Sequence, residues 1–244
     1  MTGIAPVWAQ DAAPSEAPAL SKACQVGGTV VTGESPLPNV SAALAKSKTL
    51  RILAMGAAPG HVGGHDSAYT ELIESMLEQA LKGVDVIIIN RGVSGELAAN
   101  AATRMKNEVA LNRPDLVLWQ VGTNDALAYV PSADFTSTII DQVDWLKAHN
   151  VDVVLVGLQF AKEMLRDEHY AKIRDALRVL AAQKNVIVIR FYEAMQIIDQ
   201  ASAGAAQSVP QAFEQNEAGY NCLAQYVARA ITLGVFGKNM PRRP

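Results

Sequence analysis

Five short apolar runs, residues 50–55, 84–89, 116–121, 151–156 and 186–189, alternate with stretches of helical periodicity, and this limits the chain to few architectures. The run at 84–89 is continuous and rich in β-branched residues, as expected of a strand buried on both faces. Between the runs, apolar residues recur at helical spacing, as Leu72, Met76 and Ala80 do. Helices are expected over 69–81, 96–112, 133–149, 167–183 and 216–233, with a short one at 41–48. Strands alternating with helices give a parallel sheet with right-handed crossovers and helices on both faces. The expected class is α/β, a three-layer doubly wound sheet of about five parallel strands.

At 244 residues the chain fits one domain with a sizeable core, and it shows no internal repeat or coiled coil. Hydrophobic residues make up 50% and charged residues 18%, which argues against a disordered chain. No apolar run approaches the roughly 20 residues of a membrane helix, so membrane insertion is not expected. A net charge of −3 gives no electrostatic reason to bind nucleic acid. The apolar 4–9 stretch, with Val7-Trp8-Ala9 before Gln10-Asp11, reads as the end of a secretory leader without its basic start. Residues 11–40 are rich in Ala, Pro, Ser and Gly and read as a linker or surface arm. The expected division is 1–23 leader remnant and linker, 24–236 domain, 237–244 basic tail. Cys24 and Cys222 are the two cysteines. They form a disulfide if the chain is exported, and otherwise remain two buried thiols.

In a doubly wound sheet the C-terminal strand ends share one rim, where ligands bind. Three loops meet there: 56–64, 90–95 and 122–125. The first holds no Ser, Thr or Cys between Gly56 and Asp66. It is neither a dinucleotide fingerprint nor a Walker loop, since G-x-G-x-x-G and G-K-[ST] are both missing. No cofactor is expected.

Four blocks in order carry a resemblance: an apolar strand ending at Gly56, Asn90-Arg91-Gly92-Val93-Ser94-Gly95, Gly122-Thr123-Asn124-Asp125, and Asn216-Glu217-Ala218-Gly219-Tyr220. Together they resemble the SGNH (GDSL-like) hydrolases over residues 50–233. The chain looks especially like exported bacterial members, in which an N-terminal cysteine and one in the last helix also occur. The resemblance implies the flavodoxin-like SGNH hydrolase fold, an ester-hydrolase ancestry and a periplasmic or secreted location. In that family the first block supplies a nucleophilic Ser, the second and third an oxyanion-hole Gly and Asn, and the last an Asp and a His three residues apart.

Carried over by position, Gly92 matches the oxyanion Gly and Asn124 the oxyanion Asn. Ala58 stands at the nucleophile position, Gln211 at the Asp and Glu214 at the His. Ala58 offers no hydroxyl or thiol to activate. Glu214, with an ordinary pKa near 4.3, is a weak base at neutral pH. The Ala58 and Gly92 N–H groups and the Asn124 amide would remain as an oxyanion hole. Such donors alone leave a rate effect of about 10³-fold, and they suit a carbonyl or small anion.

Substitute chemistry has accessory candidates in His61, His65 and Asp66, which share the Ala58 loop, and in Asp125 beside Asn124. His61, His65 and Glu214 could together hold a metal that activates water. A glycine-rich loop supports such a site poorly, and no metal is expected. Ser67 and Ser94 read as helix caps, Ser67 with Glu71 as reinforcement. His149 and His169 read as structural or solvated. The leading expectation is a degenerate SGNH protein binding an acylated small molecule or glycan. An active ester hydrolase with a shifted nucleophile or metal, and a protein-interaction module, are the alternatives.

Overall fold

A computed structural model describes residues 17–26, 35–56, 68–202 and 217–236. Its elements run α1 (Pro38–Lys46), β1 (Thr49–Gly56), α2 (Ala68–Ala80), β2 (Asp85–Asn90), α3 (Ala98–Asn112) and β3 (Leu116–Gln120). They continue through α4 (Thr123–Leu127), α5 (Ser132–Ala148), β4 (Asp152–Val156), α6 (Glu168–Gln183), β5 (Ile187–Ile189), α7 (Phe191–Ser202) and α8 (Glu217–Phe236). The five strands are parallel in the order β2-β1-β3-β4-β5. This is the expected doubly wound α/β sheet. Its order reverses between β1 and β3, which places the crevice at their C-terminal ends.

Alternate residues of each strand feed two cores. Leu50, Ile52, Leu116, Leu118 and Val154 pack with α1, α2, α7 and α8 on one face. Leu53, Met55, Val117, Trp119 and Val153 pack with α3, α5 and α6 on the other. The strands are apolar on both faces because both are covered.

The edge strand β2 is finished by side chains. Ile88 donates its backbone N–H to Glu74 Oε1 at 2.6 Å and Val86 to Glu78 Oε1 at 3.3 Å. Two carboxylates of α2 thus take up donors that an open sheet edge would expose.

Three expectations need correction. The arm was expected to run to residue 40, but α1 begins at Pro38, and Leu37 and Val40 are buried. Proline at the first turn costs no helical hydrogen bond, and Asp152 at the start of β4 accepts the Asn39 and Val40 N–H groups, each at 2.9 Å. Residues 122–125 were expected as a loop, yet Thr123–Leu127 forms a short helix with Gly122 as its cap at φ +103°. Helix α7 has no counterpart in the sequence reading; it starts at Phe191, directly after β5 and Arg190, without a turn residue to mark it.

Of the two cysteine readings, the disulfide is formed: Cys24 and Cys222 are bonded, with Cα atoms 5.2 Å apart. It pins the N-terminal arm to α8. Arg229 donates to Pro18 O at 3.0 Å, Ser21 N–H to Gln225 Oε1 at 2.8 Å, and the Tyr226 hydroxyl to Cys24 O at 2.8 Å. Among the described residues no helix is long and apolar enough to cross a membrane.

Candidate functional site

The site is built at the head of β1. Gly56 closes the strand at φ +88°, where a Cβ would stand 1.9 Å from Gln120 O and 2.9 Å from Trp119 Cδ1. Only glycine fits, so β1 and β3 approach closely where the crevice opens. The loop after β2 is stitched to the same strand end: Arg91 N–H donates to Ala54 O at 2.8 Å and Val93 N–H to Gly56 O at 2.9 Å. Gly92 therefore sits beside the end of β1. Its own N–H donates to Asn90 Oδ1 at 2.9 Å, within the loop.

Asn124 lies in the first turn of α4, and its Nδ2 donates to Glu96 O at 3.0 Å. Arg104 clamps the same segment: Nε meets Glu96 Oε1 at 2.6 Å, Nη2 meets Glu96 Oε2 at 2.8 Å, and Nη2 also donates to Arg91 O. The Glu96 carboxylate holds the Arg104 guanidinium firmly charged. One arginine thus ties the 90–96 loop to α3, and the Asn124 amide ties it to α4. In this arrangement the Gly92 N–H and one Asn124 amide N–H are engaged by neighbouring loop oxygens.

Asp125 is 2% exposed and orders more than its own loop. Its Oδ1 accepts the Ala98 N–H at 2.9 Å and so caps α3. Its Oδ2 has no hydrogen-bond partner among the described residues. Burial pushes its carboxyl above the ordinary value, against the opposing pull of the backbone N–H groups of Ala98, Asp125 and Gly122. The expectation that Ser94 caps α3 is corrected. Ser94 is exposed, and Leu97, which has no acceptor, holds the cap position.

A small open cavity of about 20 Å³ lies at this strand end, on the α2 side of the sheet, lined by Ala54, Tyr69, Thr70, Asn90, Gly92 and Gln120 among others. That is room for about one water-sized group. Burial drives the Tyr69 hydroxyl well above its ordinary pKa, with Tyr220 6.0 Å away adding to the shift. The phenol therefore stays neutral. Gln120 is a lining residue that sequence reasoning missed; its only signal is a polar side chain interrupting the apolar run Leu116-Val117-Leu118-Trp119-Gln120-Val121.

Ala58, His61, His65, Asp66 and Ser67, with Gln211 and Glu214, lie outside the described residues. Among the described residues no group of His, Cys, Asp and Glu could hold a metal ion. His149 stacks on Trp145 at 4.0 Å at the end of α5, where the chain turns into the start of β4, away from the rim. His169 stacks on Tyr129 at 5.1 Å, and the Tyr129 hydroxyl donates to Asp167 Oδ2 at 3.1 Å.

A family model described as the Non-GDSL lipase-like family matches residues 23–236. Among curated proteins, the chain is similar to an arylesterase of Vibrio mimicus, 28% identical over 121 residues, or 49% of this chain and 59% of that one. It is also similar to the esterase TesA of Pseudomonas aeruginosa, 24% identical over 113 residues, 46% of this chain and 55% of that one. The match thus spans less than two thirds of the length of either relative. Among solved structures, a lipase/acylhydrolase from Enterococcus faecalis superimposes with a TM-score of 0.64 at 21% identity, covering 80% of this chain and all of that one. A catalytic mutant of an acetylxylan esterase from Geobacillus stearothermophilus gives 0.62 at 16% identity, over 75% and 94% of the two chains. These likenesses carry the fold. With the 2-1-3-4-5 sheet, the four blocks in order and a family model matched across the whole described domain, the chain belongs to the Non-GDSL lipase-like family, esterase-like hydrolases of the SGNH fold.

Proposed function

We propose that this protein is a catalytically degenerate member of its family that binds an acylated small molecule or glycan and does not cleave it. The order of the sequence blocks carries the reading: aligned by it with the SGNH hydrolases, the Ser, Asp and His positions hold Ala58, Gln211 and Glu214. Without a hydroxyl or thiol at the strand end, no acyl-enzyme can form there. The loops that would present the oxyanion donors are still cross-braced, by Arg104 and Glu96 on one side and by Asp125 on the other. A rim maintained around a missing nucleophile suits retention of a carbonyl-bearing ligand. The functional unit on this reading is residues 24–236, and its disulfide supports an exported location.

The test is hydrolysis of p-nitrophenyl acetate by the purified protein, with and without zinc, beside the Ala58→Ser/Gln211→Asp/Glu214→His variant. The wild type should show no turnover above an inert control protein, and the triple variant should gain at least about 10²-fold. Robust wild-type turnover lost on changing His65 or Ser67 would establish the shifted-nucleophile hydrolase instead. A folded triple variant without activity would leave the protein-interaction reading.

A further inference from the structure

The cavity at the head of β1 contains a polar group that no described residue pairs with. Gln120 is only 6% exposed, and its Nε2 has no hydrogen-bond partner among the described residues. Buried amide donors are nearly always paired, because leaving one unpaired forfeits its hydration without return. Leu116 and Leu118, on the same face of β3, fill the core. A methionine at 120 would continue that face at the same volume and without the penalty. Gln120 thus costs stability at the point where β3 enters the crevice.

The surroundings define what would satisfy it. Asn90 Oδ1, which accepts the Gly92 N–H, makes no hydrogen bond to Gln120 Nε2. The neutral Tyr69 hydroxyl makes no hydrogen bond to it either. Helix α2, of 13 residues, starts beside the cavity, with Tyr69 and Thr70 of its first turn in the lining. Its positive end favours an electron-rich oxygen. The remaining walls include Ala54, Leu118 and Val156, which are apolar. Room for about one water-sized group admits a carbonyl or carboxylate oxygen with little of the carbon chain behind it.

We infer that Gln120 Nε2 is the donor that receives the carbonyl or carboxylate oxygen of a short, acetyl-sized acyl group. This deepens the binding function proposed above and rests on it. The shared chemistry is an acceptor oxygen on a small acyl head, and its source is either an ester or the free acid.

The experiment titrates wild type and Gln120→Met with methyl acetate, sodium acetate and sodium octanoate, following the side-chain amide resonances by NMR. The Gln120 pair is assigned by its loss in the variant. At least one acetyl probe should shift that pair in the wild type, the responding probe telling ester from acid, and octanoate should bind more weakly. Gln120→Met should melt no lower than wild type and should bind the same probe at least ten-fold more weakly. A lower melting temperature would show that Nε2 has a structural role and overturn the assignment. Equal binding by wild type and variant would overturn the role of Gln120 while leaving the acyl-binding reading standing. Binding of neither acetyl probe to the wild type would overturn both. Octanoate binding as tightly as acetate would overturn the short-acyl limit.

Discussion

Asp125 Oδ1 accepts the Ala98 N–H at 2.9 Å, so a residue beyond β3 caps a helix that began 27 positions earlier. Asp152 does the same for α1 through Asn39 and Val40. Both helices carry leucine at the cap, Leu97 and Leu37, so the acceptor has to come from elsewhere. The cap on α3 also ties the end of the 90–97 loop to α4.

Replacing Asp125 therefore separates cap from charge. Asp125→Ala should cost about 1–2 kcal/mol in chemical denaturation through loss of the cap. Asp125→Asn keeps an acceptor and should cost less than about 1 kcal/mol at neutral pH. The pH dependence has a definite sign. The folded carboxyl holds its proton more tightly than the unfolded one, whose ordinary value is 3.8. Its contribution is fully present below 3.8 and is lost as pH rises through the folded value. Asp152 and Asp115 are raised in the same direction by burial. The difference between wild type and Asp125→Asn isolates Asp125: on acidification through that window wild type should gain stability relative to the variant.

Among the glycines of the described residues, Gly56→Ala should be the most damaging. The added carbon would stand 1.9 Å from Gln120 O, at a φ of +88° that disfavours any side chain. A loss of more than about 3 kcal/mol is expected, read as failure to yield folded protein or as a large drop in the denaturation midpoint.

The outer edge of β2 gives a third test. Glu74→Ala leaves the Ile88 N–H without its charged acceptor and should cost about 1.5–3 kcal/mol. Amide exchange at Ile88 should speed up more than at Leu53, which lies within the sheet. Equal protection in both proteins would mean that the edge is closed by other means.

Much of this was legible in the chain. All five strands, the first included, begin and end within one residue of the apolar runs at 50–55, 84–89, 116–121, 151–156 and 186–189, because strands covered on both faces need no alternation. Helix α7 was not legible, since Phe191 and Tyr192 continue the apolar pattern of β5 with only Arg190 between. Ser94 read as a cap because capping signals are local, whereas the acceptor used is Asp125, distant in sequence. The family-like positions Gly92 and Asn124 could be placed by motif order. Their donors' present partners, Asn90 Oδ1 and Glu96 O, depend on loop geometry that no motif encodes. Gln120 looked like an interruption in a strand, and only its buried amide, unpaired among the described residues, sets it apart.

Reduction supplies a fourth test. Opening the Cys24–Cys222 bond, or replacing both residues with Ala, should lower stability by about 2–4 kcal/mol. The arm contacts of Pro18 and Ser21 should be released first, seen as faster amide exchange at Ser21 than at β3.

The same bond changes what a cut would mean. Cys24 and Cys222 lie 198 positions apart, so nearly the whole domain is one covalent ring. A protease that nicks any rim loop opens that ring without releasing a fragment. The clipped molecule would migrate as a single band until a reductant is added, with its two halves still held across the sheet.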